Sequence, residues 1–142
     1  MSEDAVSVVI DTNVFVGAAF NRASASATVV DWVRNGRLSM PWTDWTFGEI
    51  RHVLRKIPPV SWDAFEDLFL PDERRPDPPR EEDLDWVPDP ADRKFAALAR
   101  ATDTVLISND GHLIDGRAEA SFTVLTPREY VERMTSSEKT HP

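Results

Sequence analysis

The stretch Val6-Ser7-Val8-Val9-Ile10-Asp11-Thr12-Asn13-Val14 decides the fold. Five residues, mostly β-branched, run into a carboxylate, and an apolar helix-like segment follows. Such a run reads as a buried strand whose C-terminal end presents Asp11 just before the chain turns into a helix. Open parallel sheets bind ligands at the C-terminal ends of their strands. A carboxylate fixed there either caps the next helix, worth about 1 kcal/mol, or serves a site. Thr12 and Asn13 can also cap, which favours a role for Asp11 beyond the cap.

The same grammar repeats downstream. Leu38-Ser39-Met40 reads as a short strand, held to a sheet edge or strand end by Pro41. Thr104 to Ser108 and Phe122 to Leu125 read as two further strands. Between them the spacing predicts helices: from about Val14 to Phe20, from a cap at Ser24 or Ser26 to a stop at Asn35-Gly36, and from Thr43 or Thr46 to Pro58-Pro59. A further helix is expected from an N-cap at Ser61 to Pro71. Asp89-Pro90-Ala91-Asp92 is a strong helix start, with Pro at the first helical position and Asp in the first turn. His112 to Ile114 reads as a turn of helix. Thr126-Pro127-Arg128-Glu129 opens a last helix through about Met134 with a capping box. Asp72 to Asp85, rich in Pro and in charges of both signs, reads as a surface loop. Strands alternating with helices imply an α/β fold with a mainly parallel central sheet flanked by helices. One domain over residues 1–135 and a polar tail over 136–142 are expected.

Composition narrows the classes. A chain of 142 residues with 41% hydrophobic and 29% charged residues suits one soluble globular domain. It contains no cysteine, so thiolate metal sites and disulfides are excluded, which fits a reducing cytoplasm. No apolar run reaches the roughly 20 residues of a membrane span. Met-Ser-Glu-Asp-Ala lacks the basic start of a signal peptide. The net charge of -9 opposes broad attraction to a polyanion, unless cations or a basic partner neutralise local acids.

Each acid has a modest structural explanation. Asp89 suits an N-cap, and Asp92 suits the helix dipole for a few tenths of a kcal/mol up to about one. Glu49, on the edge of an apolar-striped helix, suits an exposed residue paired with Lys56. Asp110 before Gly111 suits a turn, as Asp115 before Gly116 does. Jointly, two strand-end aspartates, a helix-borne glutamate and a helix-start aspartate can share one cleft. Four carboxylates in one place repel and raise each other's pKa values. A hard cation such as Mg²⁺ or Mn²⁺ removes that cost and serves phosphoryl chemistry.

The pattern resembles the PIN-domain family of metal-dependent ribonucleases. The matching blocks are Val8–Val16 (VVIDTNVFV), Phe47–Leu54 (FGEIRHVL), Asp89–Ala99 (DPADRKFAALA) and Leu106–Leu113 (LISNDGHL), in family order. The resemblance implies a three-layer PIN-like fold. It implies Asp11, Glu49, Asp92 and Asp110 as catalytic, Mg²⁺- or Mn²⁺-holding acids, with Thr12, Asn13, Asp89 and Ser108 in support. Length and the third block are most similar to VapC-like toxins of bacterial toxin–antitoxin pairs. That branch implies an RNA substrate, a cognate antitoxin protein, dimers and a cytoplasmic site of action. Ser108-Asn109-Asp110 departs from the family's more usual Thr-Gly-Asp. Two other readings stand beside this one: a catalytically inactive PIN-like protein- or RNA-binding module, and a phospho-acceptor receiver domain. The latter wants an acidic pair after the first strand, where this chain has Thr12-Asn13.

Overall fold

A computed structural model describes residues 6–79 and 84–139; the expected N-terminal lead Met1–Asp4 and the end of the tail, 140–142, lie outside the described residues. Four parallel strands form the sheet: β1 (Val6–Ile10), β2 (Leu38–Ser39), β3 (Val105–Ile107) and β4 (Val124–Leu125), in the order β2-β1-β3-β4. β2 is an edge strand, as Pro41 requires. The helices are α1 (Thr12–Phe20), α2 (Ala25–Arg34), α3 (Asp44–Arg55), α4 (Pro90–Thr102), α5 (Gly111–Asp115) and α6 (Pro127–Lys139). They flank the sheet in a three-layer α/β arrangement. α4 lies against β1 and β3, α3 against α1 and α4, and α6 against α2 and β4.

The strand order reverses beside β1: the chain leaves it toward β2 and returns on its other side as β3. Ligand crevices form at such switch points. Register decides what meets there. Val8, Val9 and Ile10 pair with Val105, Leu106 and Ile107, so Asp11 and Ser108 leave the sheet side by side.

Caps set most helix starts as expected. Ser24 Oγ accepts the Ala27 N–H, Thr43 and Thr46 form a reciprocal box, and Asp89 accepts the Ala91 N–H. Thr126 Oγ1 accepts the Glu129 N–H while Glu129 accepts the Thr126 N–H. Gly36, at φ 82, ends α2 in the left-handed region that glycine tolerates.

Three elements depart from expectation. α1 starts at Thr12, directly behind Asp11, not at about Val14. α6 continues to Lys139, so residues 136–139 of the expected tail are helical; no Pro or Gly interrupts them. The helix expected from Ser61 to Pro71 is instead two 3-10 turns, Trp62–Ala64 and Glu66–Leu68, and Ser61 makes no side-chain cap. Pro71 opens a third turn, Pro71–Glu73. The segment is too short to hold a helix by itself, and its rings are needed elsewhere. Phe69 meets Phe15, Trp42, Phe47 and Trp62 at centroid distances of 6.1, 5.8, 5.0 and 5.7 Å. The 3-10 path lets one ring serve α1 and α3 together. Within the expected loop from Asp72, the same path seats Arg74 beside Trp42 in an isolated parallel bridge, and Leu84 is buried.

Phe69→Ala removes that shared ring and should destabilise the protein by about 3 kcal/mol or more. Urea unfolding followed by circular dichroism reads the loss; a change below about 0.5 kcal/mol, the range of ordinary surface substitutions, would show that the cluster is not a keystone.

Candidate active site

The edge formed by the C-terminal ends of β1 and β3 carries the first two acids. Asp11 is only 2% exposed. Its Oδ1 accepts the Thr12 N–H at 2.7 Å, and its Oδ2 accepts the Ser108 hydroxyl at 2.7 Å. The same Ser108 oxygen accepts the Asp110 N–H at 2.9 Å. One serine therefore ties both strand-end aspartates into a single hydrogen-bonded unit. Asn13 Oδ1 accepts the Asn109 N–H at 3.1 Å, which fixes the β3 exit to α1 a second time. Asp110 caps α5, accepting the His112 and Leu113 N–H groups at 2.8 and 3.2 Å.

The other two acids come from helices. Glu49 belongs to α3 and Asp92 to the first turn of α4. Both lie within electrostatic range of Asp11, and Asp92 also of Asp110. Burial pushes the Asp11 carboxyl up to about 6; bonds from Ser108 and Thr12 oppose this, while the charges of Asp110 and Glu49 add to it. Burial also pushes Asp92 up to about 7, reinforced by the charges of Asp11, Asp110 and Asp89 and by a side-chain hydrogen bond to Asp110. Strongly raised carboxyls in a cleft mark functional sites more often than structural ones.

Each sequence-derived residue now has a position. Glu49, Asp92 and Asp110 each act electrostatically on Asp11, or Asp11 on them, and Thr12, Asn13 and Ser108 frame the strand-end pair. Asp89 caps α4 and adds its charge to Asp92. The dipole explanation of Asp92 is outweighed, because its charged form is disfavoured here. Glu49 pairs with Lys94 at 3.6 Å and not with Lys56. Lys94 and Ser26 escaped the sequence reading. Lys94 carries no local signal, since its partner lies on another helix. Ser26 was read as a possible cap; its buried hydroxyl instead accepts the Asn109 side chain at 3.0 Å. The extra bulk of Asn109 over glycine is thereby tied to α2. Gly17 makes room for this, since a Cβ there would stand 3.1 Å from Ser26 Oγ.

The donor chemistry fits a hard divalent cation. Carboxylate oxygens and a hydroxyl line the edge, the chain contains no thiolate, and Thr12 Oγ1 is buried with no hydrogen-bond partner among the described residues. Among the described residues, no three acidic or histidine side chains already stand at metal-holding spacing. The Lys94 pair on Glu49 balances part of the charge at this edge.

A PIN-domain family model matches residues 7–112. The chain belongs to the PIN-domain family. PIN domains are generally nucleases and typically use divalent metals. Among solved structures, PAE2754 from Pyrobaculum aerophilum aligns with TM-score 0.59 and 19% identity, over 92% of this chain and 90% of that one. FitAcB from Neisseria gonorrhoeae aligns with TM-score 0.53 and 15% identity, over 84% of this chain and 97% of that one. At these identities the likeness shows the PIN fold. No curated protein matches the sequence. Among the described residues, no helix is long and apolar enough to cross a membrane.

The raised Asp11 carboxyl fixes the sign of a pH effect. It ionises near 3.8 when unfolded and near 6 when folded. Between those values the folded state holds the extra proton, so its contribution is full below 3.8 and is lost as pH rises through 6. Asp11→Asn keeps the cap acceptor and removes the titration. At pH 7.5 the metal-free variant should exceed wild type in stability by about 2–3 kcal/mol, an advantage that shrinks toward pH 4. Paired thermal melts across that range check this; an advantage independent of pH would contradict it.

Proposed function

We propose that this PIN-domain chain is a metal-dependent endoribonuclease, the toxin component of a bacterial toxin–antitoxin pair. One observation supports the reading: Ser108 ties the strand-end aspartates Asp11 and Asp110 together at the sheet's C-terminal edge, with Glu49 and Asp92 within electrostatic range of Asp11. No structural need of the fold explains that grouping, and hydrolysis of a phosphodiester at a cation does. Asp11 and Asp110 would hold Mg²⁺ or Mn²⁺ directly; Glu49 and Asp92 would complete the shell or hold a coordinated water. When bound, the ion supplies a Lewis acid for the scissile phosphate and a water of lowered pKa.

The protein's own residues prepare this chemistry. Ser108 and the Thr12 N–H orient the Asp11 carboxylate. Asn13 and Ser108 hold the β3 exit that carries Asp110. Asp92, pushed up by burial and then by neighbouring carboxylates, would give up its proton when positive charge arrives. The antitoxin would be a protein that covers this edge, and a basic one suits a toxin of net charge -9. The toxin role, a cytoplasmic site of action and a dimeric assembly rest on the VapC-like sequence blocks; a short reading frame for a DNA-binding protein beside this gene is the expected companion.

Asp11→Asn should lower Mg²⁺- or Mn²⁺-dependent cleavage of single-stranded RNA at least about 100-fold while preserving the circular dichroism spectrum. Full metal-dependent activity in that variant would end the nuclease reading. An inactive binding module would show no Mn²⁺ affinity by calorimetry. Binding of Mn²⁺ near pH 6 should also release about one proton, measured from binding heats in buffers of different ionisation enthalpy. Uptake or no exchange of protons would contradict the role given to Asp92.

A further inference from the structure

α3 carries two opposite charges on one helix. Glu49 belongs to the acidic edge, yet the chain from Ile50 to Trp62 contains no Asp or Glu and holds Arg51, His52, Arg55 and Lys56. In a protein where acids outnumber bases 25 to 16, such a stretch is a local inversion of charge. Ile50 and Leu54 are buried at 2% and 0% exposure. With about 100° per residue, the opposite side of the helix presents the four basic residues, and all four are exposed. Among the described residues, none of them forms an ion pair. Arg51 instead lies over the Phe47 ring at 5.3 Å. The exposed Asp63, on the neighbouring 3-10 turn, balances none of them by pairing.

The same face carries an aromatic. Trp45 is only partly buried and is not among the apolar side chains packed on the core. One turn on, a Cβ at Gly48 would meet nothing within 4 Å, so the surface beside Trp45 is open. Trp45, Gly48 and the basic residues thus form a continuous strip. Glu49 lies along this side, one turn on from Trp45, with Lys56 seven positions further and about 10 Å away. The acids near its start are engaged: Asp44 pairs with Arg74 at 2.7 Å, and Asp77 accepts the Trp45 N–H at 3.1 Å.

We infer that the exposed face of α3 binds single-stranded RNA, with Arg51, Arg55 and Lys56 on successive phosphates and a base stacked on Trp45, and delivers the strand to the acidic edge at Glu49. The ligand class rests on the nuclease reading; the strip itself rests on the exposed, unpaired cations and the partly buried Trp45 ring beside them. A row of cations supplies sequence-independent phosphate affinity, and the accessible part of a partly buried ring adds stacking that any base can use. This resolves how an acidic protein approaches a polyanion: attraction is confined to one helix face.

The test is fluorescence anisotropy of a labelled mixed-sequence single-stranded RNA 12-mer against the full chain, in EDTA, from 50 to 200 mM salt. The R51Q/R55Q/K56Q variant should bind at least about tenfold more weakly, and its log–log salt slope should fall by about 2. Trp45→Ala should bind about tenfold more weakly with the slope unchanged. Arg128→Gln, on α6, removes a charge elsewhere and should leave binding intact. Matching melting temperatures establish that the variants are folded. No RNA binding by the wild type, or unchanged affinity in the triple variant, overturns the inference. So does displacement of RNA by polyglutamate combined with no effect of Trp45→Ala, which would assign the strip to an acidic protein partner. Because EDTA removes any need for metal or cleavage, RNA that binds the strip but is never cut would sink the nuclease reading and leave this one standing.

Discussion

The hydrogen bond from Ser108 to Asp11 is the constraint on which the rest of the site depends. It spans 97 positions of sequence and 2.7 Å of space. It exists because β1 and β3 are parallel neighbours in one register, and a shift of one residue would turn both side chains to the other face of the sheet. Burying a carboxylate is costly, and hydrogen bonds recover only part of the cost. The raised Asp11 pKa records the remainder. The fold tolerates it because Val8, Val9, Ile10, Leu106 and Ile107 around it are almost wholly buried and hold the strands in place.

The acidic edge is thus a store of unfavourable charge kept by a stable frame. Four elements contribute: β1, β3, α3 and α4. Each helix arrives with its own cap, so the carboxylates are positioned without flexible loops. Lys94 on Glu49 and the Asp92–Asp110 hydrogen bond are internal means of easing the repulsion. A site arranged in this way favours the arrival of positive charge, which is the property that cation-assisted phosphodiester chemistry requires.

α3 links this edge to the outside. Its buried stripe packs on α1 and α4, its edge supplies Glu49, and its outer face supplies the basic strip. Charge is thus segregated on one helix, Glu49 at its edge and the exposed basic residues on its outer face. Phe69 and its neighbouring rings support α3 from beneath, so the 3-10 turns that replaced an expected helix serve the site indirectly.

The sequence by itself determined the α/β class, the strand ends at Asp11 and Asp110, and most of the caps. These are local signals: β-branched runs, N-cap residues and helical spacing act within a few positions. It did not determine that residues 61–70 turn as 3-10, because ring packing against α1 and α3 outweighed a helical pattern too short to stand alone. Nor did it show Lys94 on Glu49, Ser26 on Asn109, or one serine shared by two aspartates. Those partners lie on different elements, and only the strand order and register bring them within hydrogen-bond reach. The tertiary structure decided proximity, and with it the raised pKa values of Asp11 and Asp92, because desolvation and like-charge repulsion depend on distance and burial that no linear spacing encodes.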